Sequence, residues 1–220
     1  TYAWLGAPGY GDLPMKSRLA AIEAARAERP GQAAAEAEVR DQLPQPEAPD
    51  ADFLNLMEQL RAAVAERPND IQGLTFLAQY EARIGNYSAA RAAQEQLVAA
   101  KGNDATATDR LTLIDIMVFA TGGYVSPEAE AVVRDILASS PENGAARYYY
   151  GLLEAQAGRA DRAFAVWARL LEDSPPSAPW VPVVRAEIQD VAFAAGITNY
   201  ELPPTSTLLP PTPLTLTPKP

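Results

Sequence analysis

The sequence predicts an all-α solenoid of stacked helical hairpins, and three observations carry that prediction. The 220-residue chain is 48% hydrophobic, and its alanine-rich, charge-balanced segments favour close-packed helices over sheets. Apolar residues recur at helical spacing between punctuating Gly and Pro residues. An internal repeat runs through the middle of the chain, which is the signature of an array rather than of a single closed core.

Taken in order, residues 13–43 read as one or two Ala-rich helices interrupted at Arg29-Pro30-Gly31. Their apolar positions, Leu19, Ile22, Val39 and Leu43, are too sparse for a core of their own. "PQPEAPDAD" (44–52) is a Pro/acid linker. From there Phe53, Leu56, Leu60 and Val64 repeat at helical spacing until Arg67-Pro68 ends the helix.

The repeat emerges when the chain is aligned on glycine. "IQGLTFLAQYEARIGNYSAARAAQEQLVAAKGND" (71–104) lies over "GAARYYYGLLEAQAGRADRAFAVWARLLEDSPPS" (144–177). Each copy is a helix, a short turn at Gly85 or Gly158, and a second helix. Ala78 matches Gly151, Ala90 matches Ala163 and Gln94 matches Trp167. This is the tetratricopeptide (TPR) pattern, with its period of about 34 residues. The small residues belong where two antiparallel helices cross, and Trp167 would fill the gap beside them.

A degenerate third copy fills residues 105–143, with its extra residues around "ATGGYV". Ser126 is placed to cap its second helix, Pro127 fits the first helical position, and Glu128 and Glu130 suit the positive end of the dipole. About three repeats then need caps. Residues 52–67 would cover the front, and a helix over 180–195, with Val181, Val184, Ile188 and Val191 in one stripe, would cover the back. The predicted organisation is an N-terminal helical segment and linker (1–50), a TPR domain (51–198) and a disordered Pro/Thr-rich tail (199–220).

Composition narrows the function. With no cysteine and no histidine, the chain has no thiol nucleophile, no imidazole and no Cys/His metal site. The carboxylates sit among helix-surface residues, and no phosphate-binding glycine loop occurs, so neither enzyme activity nor a cofactor is expected. A net charge of −10 leaves no electrostatic footprint for nucleic acid. No apolar run is long enough to cross a bilayer and no signal peptide is evident. The chain begins at Thr1, as a fragment or a processed form would.

In a stack of hairpins the first helices line the concave side, and helical periodicity picks out one face of each. The first repeat offers Gln72, Thr75, Gln79 and Arg83. The middle one offers Asp109, Leu113, Ile116 and Met117, and the last offers Tyr148, Leu152 and Gln156. Leu113 and Ile116 are divided evenly between core and groove by this reading. The groove runs from polar to apolar, which suits the apolar face of an amphipathic helix. Thr75, Gln79, Tyr148 and Leu152 stand at the places where a carboxylate-gripping TPR groove would carry its Lys, Arg and Asn donors, so that mode of binding is not expected. Among three adjacent tyrosines, Tyr150 is expected in the core, Tyr148 in the groove and Tyr149 between them.

Four segments resemble the cytochrome c biogenesis family CcmI, also called CycH: "YAWLGAPGYGDLPMKSRL" (2–19), "ATGGYVSPEAEAVV" (120–133), "ARYYYGLLEAQAGRADRAFAVWARLL" (146–171) and "SPPSAPWVPVVRAEI" (174–188). The resemblance spans most of residues 2–195. It lacks the family's two N-terminal transmembrane helices, and the Pro/Thr-rich tail matches nothing in the family core. It implies the periplasmic domain of a membrane-anchored chaperone and adaptor that binds apocytochrome c, chiefly its C-terminal helix, and delivers it to the CcmF–CcmH haem-ligation complex. Contact with the membrane would run only through the missing N-terminal helices. A second reading is a scaffold that holds membrane partners together without a client groove, through the N-terminal helices or the convex face.

Overall fold

The computed structural model describes residues 28–44, 46 and 48–203. The resembling segment 2–19, the first part of the expected N-terminal helices and the tail from 204 lie outside the described residues.

Nine α-helices and no strand are formed among the described residues: α1 (Gln32–Val39), α2 (Ala51–Glu66), α3 (Ile71–Arg83), α4 (Tyr87–Lys101), α5 (Ala107–Ala120), α6 (Pro127–Ser139), α7 (Gly144–Gln156), α8 (Ala160–Asp173) and α9 (Trp180–Ala194). From α2 onward each helix packs on the next in chain order. That nearest-neighbour pattern is compatible with a TPR-like solenoid.

All three hairpins start in the same way, and the first and last also turn alike. The first helices α3, α5 and α7 are opened by Asp70, Thr106 and Asn143, whose side chains accept from the backbone N–H of Gly73, Asp109 and Ala146. These caps satisfy donors that the helix cannot use internally. At the far end of α3 and α7 the chain turns through Gly85 (φ 79°) and Gly158 (φ 71°). There the Asn86 and Arg159 N–H groups donate back to the carbonyls of Glu81 and Glu154, both at 2.9 Å. A left-handed residue is needed for this closure, hence glycine. Ser126 caps α6 as the sequence predicts, accepting from the Ala129 N–H at 3.0 Å.

Close approach holds the hairpins together. A Cβ placed on Gly151 would sit 2.2 Å from Nε1 of Trp167, so the buried indole fills the space that a side chain would take. Its N–H donates to the Tyr148 carbonyl at 3.1 Å. Ala78, Ala90 and Ala163 are likewise buried at the crossings. The apolar interior runs as successive clusters: Val64, Leu74 and Leu97; then Ile114, Val118, Val133, Ile136 and Leu153; then Trp167, Leu170, Val184 and Ile188. Tyr150 is only half-buried, against the second of these, with its hydroxyl hydrogen-bonded to Glu154.

Two repeat-equivalent carboxylates lie inside this apolar frame, Glu81 and Glu154, each 1% exposed. Arg61 of α2 reaches Glu81 through Nε at 2.6 Å and Nη2 at 3.0 Å, and Asn86 Nδ2 adds a third bond at 2.9 Å. Glu154 is paired with Arg159 from the turn that follows it. A buried charge persists when it is paired and hydrogen-bonded in this way.

The described part of the N-terminal segment is docked on the body. Gln32 donates from Nε2 to the Met117 carbonyl (2.9 Å) and from its backbone N–H to Glu128 (2.9 Å), while Arg91 pairs with Glu36 (2.9 Å) and Arg29 with Glu130 (2.5 Å). At the other end Tyr200 packs edge-on against Phe164, and Arg185 donates to the Pro203 carbonyl at 2.7 Å.

Gly151→Ala is therefore expected to cost about 1–3 kcal/mol through overpacking against Trp167. In a chain of this size that lowers Tm by about 2–4 °C per kcal/mol, readable by thermal melting with tryptophan fluorescence. A second expectation concerns Asp109, the third residue of α5. Burial alone would raise its pKa, but hydrogen bonds from Lys101 (2.7 Å) and Thr106 hold it below the ordinary value of 3.8. Its contribution is present at neutral pH and is lost as pH falls through the depressed folded-state pKa. Asp109→Asn should destabilise the domain by about 1 kcal/mol at pH 7. Urea titrations should show that difference narrowing below pH 3.8.

Candidate peptide-binding cleft

The caps that start α5 and α7 also decide which residues those helices show to the concave side. Counting from Asp70, Thr106 and Asn143, equivalent positions are Thr75, Leu111 and Tyr148, then Phe76, Thr112 and Tyr149, then Gln79, Asp115 and Leu152. The face of α5 that follows from this register differs by about two residues from the one expected for it. Leu113 (5% exposed), Ile116 and Met117 (2%) point into the core. Asp109 completes the capping box of α5, and Gln94 Nε2 donates to its carbonyl at 2.8 Å. These four positions form the packed side of α5, and its open side carries Thr108, Thr112, Asp115 and Phe119.

Helical periodicity alone fixes the spacing of a face and not its starting residue, and the turn 121–126 breaks the simple equivalence of the repeats at about 34 residues. That turn is longer than 84–86 and 157–159, so the first helix is displaced relative to the second. Gln156 belongs to the same correction. It holds the turn from α7, accepting from the Val125 N–H at 2.9 Å and donating to the Gly123 carbonyl at 2.7 Å.

A cleft of about 400 Å³ opens where α5, α7 and α9 meet. Thr108, Leu111, Thr112 and Asp115 form one wall and Ala145, Tyr148 and Tyr149 the floor, with Pro179, Trp180 and Val183 opposite. Leu152 packs beneath it between two core clusters. The α3 residues Gln72, Thr75, Gln79 and Arg83 are exposed but lie outside this cleft. Arg83 instead sits over the Phe53 ring at 5.9 Å.

Packing fixes the walls. Tyr148 stacks on Trp167 with ring centroids 6.3 Å apart, and meets Tyr149 at 5.0 Å. Trp180 lies against Gly144, where a Cβ would come within 2.3 Å of the indole, and its N–H donates to Ser174 Oγ at 2.8 Å. The Tyr149 hydroxyl donates to Asp115 Oδ1 at 2.5 Å. Burial, then that hydrogen bond, pushes the Tyr149 phenol far above its ordinary range, so it remains a neutral donor. Burial and the charge of Glu187 also raise Tyr148. No group of His, Cys, Asp and Glu side chains suited to hold a metal occurs among the described residues.

Of the groove residues expected from sequence, Tyr148 lines the cleft and Leu152 supports it. Tyr149, Leu111, Thr112, Trp180 and Val183 were missed. The cap spacing would have supplied the first three. Trp180 and Val183 belong to the helix read as a closing cap, which here both closes the array and forms a wall.

No family model and no solved structure matches the chain. Two curated proteins do, both named cytochrome c-type biogenesis protein CycH. That of Bradyrhizobium diazoefficiens is 30% identical over 134 residues, 61% of this chain and 36% of the relative. That of Rhizobium meliloti is 30% identical over 131 residues, 60% of this chain and 34% of the relative. The matched region thus spans about a third of the length of these relatives. Among the described residues no helix is long and apolar enough to cross a membrane. With the all-helical architecture and the resembling segments, these two matches support assignment of the chain to the CcmI/CycH family of cytochrome c-type biogenesis proteins.

Proposed function

We propose that this chain is the client-binding part of a cytochrome c-type biogenesis protein. In this reading it acts in the periplasm, tethered to the membrane by helices outside this chain. It holds apocytochrome c by the C-terminal amphipathic helix and presents it to the haem-ligation complex of CcmF and CcmH. The role is that of a chaperone and adaptor with no chemistry of its own. The observation that carries the proposal is the cleft between α5, α7 and α9, with aromatic and aliphatic walls and a polar edge. Such a surface receives the apolar side chains of one helix face and leaves the rest of the client free. The names of the two relatives support the biological setting.

A client that must be handed on calls for moderate affinity, with Kd from micromolar to tens of nanomolar, about −8 to −10 kcal/mol. Titration of the chain with a C-terminal apocytochrome helix peptide, followed by calorimetry, should fall in that range, and a scrambled peptide should bind at least about ten-fold more weakly. Val183→Arg places a long charged side chain in the cleft from an exposed position. It should weaken the peptide about ten-fold with Tm unchanged. Equal affinity for native and scrambled peptides would overturn the proposal, as would unchanged binding by the variant.

A further inference from the structure

The cleft carries an electrostatic feature that its shape does not explain. Asp115 stands on the α5 wall with Oδ1 occupied by the Tyr149 hydroxyl. Its Oδ2 accepts no hydrogen bond from the described residues. Glu187, exposed on α9, stands one helical turn beyond the cleft residue Val183 on the same face of the helix, and its charge acts on the Tyr148 phenol. Neither carboxylate is ion-paired to an Arg or Lys among the described residues. Six carboxylates elsewhere on the solenoid, Glu36, Glu81, Asp109, Glu130, Glu154 and Asp173, do have a cation within ion-pairing distance, whereas among the described residues no cation is placed in this way at the cleft. Tyr124, Tyr150 and Tyr200 each feel a nearby arginine, whereas the two cleft tyrosines feel none.

We propose that the cleft selects an amphipathic helix bearing a Lys or Arg side chain at the edge of its apolar face, and that Asp115 and Glu187 receive this cation beside the Tyr148 and Tyr149 rings. The inference rests on the cleft being the client site and adds the chemical class of its ligand. Four features combine to favour a cation. Asp115 Oδ2 offers a charge-assisted acceptor. The tyrosine faces offer negative ring quadrupoles. Tyr149 orients the Asp115 carboxylate without neutralising it. The surrounding apolar wall limits screening by water. A helix carrying Glu or Asp at that place would meet two carboxylates and be rejected, which gives the site a means of discrimination as well as attraction.

The test is a double-mutant cycle with designed helical peptides of one apolar face, differing only in a Lys, norleucine or Glu at its edge. Calorimetric titration of the intact chain in low salt should show the Lys peptide binding about three- to ten-fold more tightly than the norleucine peptide, and the Glu peptide more weakly than both. Asp115→Asn keeps an oxygen for the Tyr149 hydroxyl, and Glu187→Gln changes only an exposed group. Each should reduce the Lys preference without altering the norleucine affinity, and together they should abolish it. Rising salt should weaken the Lys peptide alone. Equal weakening of Lys and norleucine peptides by Asp115→Asn would overturn the inference, as would no preference in the unaltered chain or no binding of any designed peptide. These outcomes are separate from the apocytochrome titration, where native-over-scrambled selectivity that survives both substitutions upholds the client site while removing its cation requirement.

Discussion

Two antiparallel helices can stack repeatedly only if each pair comes close enough to present a continuous surface to the next, and this chain meets that condition with missing side chains. Gly151 is bare because the Trp167 indole occupies the place of its Cβ, while Ala78, Ala90 and Ala163 keep the other crossings narrow. Everything else follows from that closeness. The hairpins become units that bury one face on their predecessor and one on their successor. The interior becomes a string of clusters rather than one centre. The same approach that seats Trp167 also orients Tyr148, whose carbonyl accepts the indole N–H, so a packing requirement in the core fixes a wall of the cleft.

The fold was legible because these constraints are written locally. Paired glycines, small residues at a fixed spacing and capping residues need no knowledge of distant contacts. Placement of Trp167 beside Gly151, Ser126 as a cap and Val181, Val184 and Ile188 as a buried stripe came from such signals. The concave face was less legible because it depends on where a helix begins. On a helix each residue turns about 100°, so a two-residue error in register exchanges inside for outside. This is what separates Leu113 and Met117, in the core, from Leu111 and Asp115, in the cleft. Thr106 and Asp109 carried the information as a capping box, but periodicity by itself is satisfied by either face of α5 and does not say where the count begins. The part played by Trp180 was harder to read, since a closing helix and a cleft wall have the same apolar pattern.

Charge is used in two ways along the array. Inside it, Glu81 and Glu154 are matched by Arg61 and Arg159, so that buried carboxylates tie a turn or a capping helix to the stack. At the cleft, Asp115 and Glu187 face outward beside apolar surface. The first arrangement spends its cations within the fold and serves shape. The second leaves its charge available to whatever enters.

The docking of the N-terminal segment has a mechanical consequence. Gln32 grips the Met117 carbonyl of α5, and Arg29 and the Gln32 backbone hold Glu130 and Glu128 of α6. A chain anchored upstream of Arg29 is therefore fastened to the middle of the solenoid rather than only strung to its first helix. Under the proposed function, in which the chain is tethered upstream, tension would load α5 at Met117, two residues along from Asp115. The helix that forms one wall of the cleft would then also be where the tethered segment is fastened, so that leash and cleft would share a single beam.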